Sequence, residues 1–237
     1  MRIVLLTTDT SHHCYFVREL SARFRIEAVL VESNILNPPF DVHHRFETVR
    51  EDYERRVWFD GEPVSLLDLV SAKAFGSLND DDALNVLAEL QPDIVLVFGT
   101  GRLSSGVIKT CPEGILNLHG GDPEQDRGLD THLWAIYEDR FDGLVTTLHR
   151  VNDRLDDGEV VGKAPIPLHR RMKLHELRRF NTKLCLDLVG SALDEYQRCG
   201  HISSRPQRTR GRYYSFMPAE LKATCQQKFE QHTSRLH

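Results

Sequence analysis

No run of apolar residues in this chain of 237 approaches the ~20 needed to span a bilayer, so no membrane helix is expected. The opening apolar segment, Met1 to Leu6, gives way at once to Thr7-Thr8-Asp9-Thr10. It is too short for a signal peptide, reads as a first strand, and sets the expectation of a cytoplasmic protein. Cysteine is scarce: Cys14, Cys111, Cys185, Cys199 and Cys225 are odd in number and contain no C-x-x-C pair. That excludes a disulfide framework and a zinc ribbon and leaves reduced thiols. Basic excess is also lacking, since the net charge is −5, which argues against a nucleic-acid binder. The first turn, Thr8-Asp9-Thr10-Ser11-His12, has no G-x-G-x-x-G, so a nicotinamide or flavin cofactor is unsupported. His43-His44 has no carboxylate or thiol at ligand spacing, and no metal is expected. There is no internal repeat and no low-complexity tract.

What is present is an ordinary globular composition, 40% hydrophobic and 27% charged, with length for one large domain and a small appendage. Residues 2 to 7 and Ile26 to Val31 are buried-strand runs around a helix from Ser11 to about Arg23, a parallel βαβ unit. From Glu32 to Asp60 the pattern is irregular, except for a charged segment from Phe46 to Trp58 that suits a helix with a wet face. Asn79 and Asp80-Asp81-Asp82 open a capped helix, and Pro92 to Phe98 is a central strand closed by Gly99-Thr100-Gly101-Arg102-Leu103. A further strand runs from Leu144 to Val151, a long amphipathic helix from Leu174 to Tyr196, and a last helix from Pro218 to Gln231. The alternation predicts an α/β fold: an open, mostly parallel, doubly wound (Rossmann-like) sheet with a small C-terminal hairpin and helix.

The chemistry is concentrated between Gly114 and Val160. Asn117 and His119 are two residues apart at the end of an apolar run, so on a strand both side chains face the same side of the sheet. Gly120, Gly121, Asp122 and Pro123 stop that strand, which puts the pair at a C-terminal sheet edge, where open α/β sheets bind ligands. The second strand ends in Asn152-Asp153-Arg154-Leu155-Asp156-Asp157-Gly158, a turn with three carboxylates. An amide, an imidazole and a carboxylate at neighbouring strand ends can perform acyl transfer without a metal; a set of plain turn formers would read the same way. His149 reads as a packed or supporting residue.

Asn117-Leu118-His119, Arg127-Gly128, Trp134-Ala135-Ile136, Leu144 to His149 and Leu155-Asp156-Asp157-Gly158-Glu159-Val160 together resemble the signatures of the folate-dependent formyltransferases. The pattern there is N-x-H, R-G, W-A-I, V-T-x-H and L-D-x-G-x-[IV]. The resemblance implies that Asn117, His119 and Asp156 are the catalytic residues and that 10-formyltetrahydrofolate is the co-substrate. It implies a folate pocket formed by Phe98, Gly99, Thr100, Gly101, Arg102 and Leu103 with the loop Val151 to Asp156, including Asp153 and Leu155. Residues 1–200 then form the catalytic domain and 201–237 the extension. One departure stands in the acceptor loop, His119-Gly120-Gly121-Asp122-Pro123, where the family has H-x-S-x-L-P.

The acceptor is narrowed by exclusion. The chain as a whole is acidic and only about seventy residues follow the shared motifs, unlike a transfer-RNA-formylating enzyme with its sizeable basic extra domain, and the glycine-free first turn is unlike a glycinamide-ribonucleotide formyltransferase. The family resemblance therefore points to the sugar N-formyltransferases, acting on a nucleotide-linked amino sugar such as a dTDP- or GDP-4-amino-4,6-dideoxyhexose for surface polysaccharide. A glycinamide-ribonucleotide-type enzyme and a formyltetrahydrofolate hydrolase are the alternatives. Thr10, Ser11 and His12 can cradle phosphate or form a simple capping turn. Gly121 and Asp122 offer room and a carboxylate to the sugar. Arg205, Arg208, Arg210 and Arg212 with Tyr213 and Tyr214 read equally as a nucleotide grip or a solvated hairpin. The aromatic segment Ser203 to Phe216 needs a surface to bury against, and a homodimer is expected.

Overall fold

A computed structural model describes residues 1–34, 36–111 and 114–236; of the irregular stretch expected after Glu32, Ile35 lies outside these. In chain order the elements are β1 (Ile3–Thr7), α1 (Ser11–Ser21), β2 (Ile26–Glu32), α2 (Arg45–Phe59), α3 (Leu66–Leu69), β3 (Ala72–Phe75), α4 (Asp81–Leu90), β4 (Ile94–Phe98), α5 (Ser105–Thr110) and β5 (Ile115–His119). They continue with β6 (Asp126–Gly128), α6 (Thr131–Tyr137), β7 (Val145–Arg150), β8 (Val160–Pro165), α7 (Leu177–Cys199), β9 (Arg212–Tyr214) and α8 (Ala219–Ser234).

Seven strands form one sheet in the order β3-β2-β1-β4-β5-β7-β8. The pairings from β3 through β5 are parallel, and β7 and β8 join antiparallel. β1 and β4 are buried along their whole length, as apolar runs with no alternation require of strands covered on both faces. Leu5, Leu96, Leu116 and Leu148 pack under α1 and α7, while Val4, Val95 and Ile115 pack on the other face against residues of α4 and α5. The strand order reverses between β1 and β4, so the loops leaving their carboxyl ends diverge and open a crevice there. β5 ends beside it.

The sheet confirms the expected α/β class, with two differences. Short edge elements were not readable: β3 and β8 complete the sheet on its two sides. The extension is not a hairpin; β9 pairs in parallel with β6, forming a second small sheet. Tyr214 is buried there, stacked on Trp134 with ring centroids 5.2 Å apart and its hydroxyl donating to Glu138. Of the aromatic segment that motivated a homodimer, Tyr214 is covered by the chain's own α6, while Tyr213 stays exposed. Beyond it α8 buries Cys225 and Phe229 against Leu133 and Ile136 in a third core.

Candidate active site

β5 carries Asn117 and His119 to the sheet edge, and antiparallel pairing sets His149 of β7 directly opposite Asn117. The His149 Nδ1–H donates to the Arg150 carbonyl oxygen at 2.7 Å, which leaves Nε2 to meet the Asn117 amide nitrogen at 3.1 Å. This contact turns the amide's N–H face toward His149 and fixes its orientation. His119 Nε2 donates to the Asp126 carbonyl oxygen at 3.0 Å, and its Nδ1 lies 3.8 Å from Asp156 Oδ2. Asp156 Oδ1 is 3.5 Å from His149 Nε2. Asn117 and His119, which the spacing paired, and Asp156, which the family resemblance added, therefore converge, and His149 joins them, with more contact to the group than a packed residue would have.

Asp156 is buried and sits in the left-handed backbone region at φ 50°, so the turn aims its carboxylate back at the strand ends. The Gly128 amide donates to Oδ2 at 2.8 Å. Burial pushes the Asp156 carboxyl up, but His119, His149 and the Gly128 N–H outweigh it and hold the group well below the usual carboxylate range. The Arg127-Gly128 signature now has a physical reason. Arg127 donates to the carbonyls of Gly211 and Leu155, tying the tail and the Asp156 turn together. Gly128, at φ 97°, could not carry a Cβ, which would lie 2.0 Å from the Tyr214 carbonyl oxygen. Gly158 closes the same turn, where a Cβ would lie 1.8 Å from the Arg150 carbonyl oxygen.

These groups open on a cavity of about 1010 Å³. Phe98, Gly99, Thr100, Gly101, Arg102 and Leu103 line it on one side, facing Leu155 and Asp156. Asp153 does not line it; its carbonyl instead accepts from the Arg102 guanidinium, linking the two loops. Two residues that the sequence does not tie to this loop hold it in place. Glu32 accepts from the Gly101 amide at 2.6 Å, and Asn79 accepts from the Ser104 amide at 2.6 Å rather than capping α4, whose N-cap is Asp80.

The expected acceptor residues divide. His12 and Tyr213 line the cavity; Thr10 lines a smaller neighbouring one, and Ser11 is buried in α1. Thr10 Oγ1 is engaged with the rings of His12 and His13. Asp122 is corrected: it is buried, ion-paired to Lys163 Nζ at 2.7 Å, and so offers no carboxylate to a ligand. Gly121 does not line the cavity but packs where a Cβ would lie 3.0 Å from His119 Nε2. Tyr214 is corrected too, being a core residue of the extension. The tail arginines are largely paired within the chain: Arg205 with Glu124, Arg212 with Glu138, and Arg210 with Asp157 at 3.7 Å. Of them only Arg210 reaches the cavity wall. Among the described residues no cluster of side chains suits a metal ion.

Comparison with known proteins finds relatives in sequence and in fold. A methionyl-tRNA formyltransferase of Finegoldia magna is 26% identical over 134 residues, covering 56% of this chain and 42% of the relative, so the chain spans under half of that protein's length. A sugar N-formyltransferase from Shewanella sp. FDAARGOS_354 shares the fold at TM-score 0.64 and 13% identity, over 97% of this chain and 88% of that one. HypX from Aquifex aeolicus, solved with tetrahydrofolic acid, shares it at TM-score 0.60 and 21% identity, over 99% of this chain and 34% of that one. Residues 54–182, more than half of the chain and the part that supplies Asn117, His119 and Asp156, match the Formyl transferase family, and the chain belongs to that family.

Proposed function

We propose that this protein transfers the formyl group of 10-formyltetrahydrofolate to the amine of a nucleotide-linked amino sugar. The observation that carries the reading is the convergence of Asn117, His119 and Asp156 at the wall of a cavity large enough for two ligands. The loops at residues 98–103 and 151–156 line it on facing sides and leave between them a slot that suits a flat, hydrogen-bonding pterin, and a neighbour in fold was solved with tetrahydrofolic acid. Neighbours described as sugar N-formyltransferases support the acceptor class.

In this reading Asn117 donates its second amide N–H to the formyl oxygen, and His119 donates there from Nε2 on leaving the Asp126 carbonyl, as the acceptor amine adds to the carbon and the oxygen gains charge. Asp156 keeps an acceptor beside His119 Nδ1, and His149 orients the Asn117 amide. Collapse then breaks the bond from the formyl carbon to N10 of the folate, which takes up a proton as the amine loses one. Residues 1–200 supply the reacting groups, and 201–237 add Arg210 and Tyr213 to the wall.

The test is incubation with 10-formyltetrahydrofolate and a panel of amino-sugar nucleotides beside glycinamide ribonucleotide and methionyl-tRNA, with products followed by mass. A formylated sugar nucleotide is expected, and Asn117→Ala and His119→Ala each lose about 10²–10³ in turnover. Formylation of the ribonucleotide or the tRNA alone, or formate release without any amine, overturns the acceptor; near-normal turnover of both variants overturns the site.

A further inference from the structure

Three arginines of the tail, which reads equally as a nucleotide grip or a solvated hairpin, are paired internally, but a guanidinium elsewhere in the cavity is not. Arg50 lies on α2, on the charged segment whose sequence suggests nothing more than a wet face. Its Nε is buried with no hydrogen-bond partner, and among the described residues its guanidinium forms no ion pair; its ring contact is Phe46, 5.4 Å away. A buried donor left unpaired is costly, and a buried cation more so. Burial and the neighbouring Arg178 pull Arg50 down to about 10, so it stays charged at neutral pH. Arg178, by contrast, is neutralised by the fully buried Glu54, at 2.7 and 2.5 Å.

Arg50 and Arg178 are also the two residues that line both the main cavity and a second one of about 480 Å³. They stand at the passage between them. Beyond the passage lie Thr10, His44, Arg45 and Thr48. The carboxylates on that side are mostly engaged: Asp9 with Ser65 and Leu66, and Glu47 with Lys222, leaving Glu51 exposed. On the inner side, buried His13 presents an Nε2 with no partner, while its Nδ1 is held by Thr8 and Thr10. That Nε2 faces Gly99, where a Cβ would lie 2.5 Å from it, so the unmet donor at the passage is that of Arg50.

We propose that Arg50 is the seat of an oxyanion of the acceptor, with the amine pointing inward to Asn117 and the remainder of the molecule passing into the outer cavity beside the start of α2. Resting on the formyl-transfer reading above, this makes the oxyanion the diphosphate of the sugar nucleotide and the outer cavity the place of its nucleoside. A planar guanidinium suits such an oxyanion because it donates two parallel hydrogen bonds, and no described side chain supplies its Nε with an acceptor.

The experiment measures calorimetric binding of inorganic pyrophosphate and, separately, malonate to the full chain and to Arg50→Gln and Arg50→Lys, with tetrahydrofolate binding and thermal unfolding on each. Arg50→Gln should weaken pyrophosphate by about 10- to 100-fold, the loss of charge-assisted hydrogen bonds, while Arg50→Lys recovers part of it. Tetrahydrofolate binding should be unchanged, and ligand-free Arg50→Gln should melt no lower than the parent, because it loses an unpaired buried charge. KM for a phosphorylated acceptor should rise with kcat within about threefold, as removal of ground-state binding requires. Equal pyrophosphate binding by parent and Arg50→Gln overturns the proposal, as does a Gln variant that melts lower with all binding intact. Arg50-dependent binding of malonate but not pyrophosphate keeps the oxyanion seat and overturns the nucleotide reading alone. Loss of tetrahydrofolate binding in the parent overturns formyl transfer while the anion arm is still read.

Discussion

His12 and His13 are held in a form that acid will oppose. Both are buried, their rings 3.8 Å apart, and His13 stacks edge-on against Phe98. Burial and the Arg178 charge bring His13 down to about 3, and burial first, then Arg178, lowers His12 well below 6.5. In the unfolded chain both rings take up protons as the pH drops through about 6.5, while in the native protein they do not. The unfolded state then binds more protons, so stability is full above that pH and falls below it, by up to about 1.4 kcal/mol per pH unit for each ring. Denaturant unfolding at pH 7, 6 and 5 checks this; a flat stability, with ring protons titrating near 6.5, would count against it. At this scale strand periodicity pairs Asn117 with His119, while Asp156 stands out from the other two carboxylates of its turn only through the family resemblance, because turn chemistry treats all three alike. His149 is less legible, since nothing local says that an antiparallel partner will set it opposite Asn117. Arg50 is invisible, because a charged helix facing a cavity has the same pattern as one facing water.

Among the elements, the β6–β9 pair decides how the site is closed. It sets Gly128 against the Tyr214 carbonyl while the Gly128 amide holds Asp156. Gly128→Ala forces the strands apart and strains a φ of 97°, so a loss of about 1–3 kcal/mol in stability is expected together with a drop in kcat. Chemical denaturation and steady-state rates measure the two, and a variant with unchanged stability would mean that the pair yields freely. The central strands and the long helices are legible because their apolar runs and caps agree with their final surroundings. The Ala72–Phe75 and Val160–Pro165 strands are not: one is four residues with a mostly exposed face, and the other contains glycine and ends in proline. Edge strands need little burial, and so they leave little pattern.

For the molecule as a whole, α8 joins segments far apart in sequence. Lys222, 2% exposed, donates to the Val42 carbonyl at 2.6 Å and to Glu47 at 2.9 Å, and the Ala219 amide donates to Asp41. The C-terminal helix thereby steadies the start of α2, the helix that carries Arg50. Its anchor, Phe229, is fully buried. Phe229→Ala should cost about 3–5 kcal/mol, measured by denaturant unfolding, and a cost under about 1 kcal/mol would show that α8 is dispensable to the core. The chain has two tryptophans. Trp58 stacks on Tyr15 at 4.3 Å beneath α1, whereas Trp134 stacks on Tyr214 and its indole N–H donates to the Ser215 carbonyl. In a Trp58→Phe background the intrinsic fluorescence therefore comes from one indole lodged between α6 and the tail, and its emission becomes an optical gauge of whether residues 212–215 are docked beside the cavity.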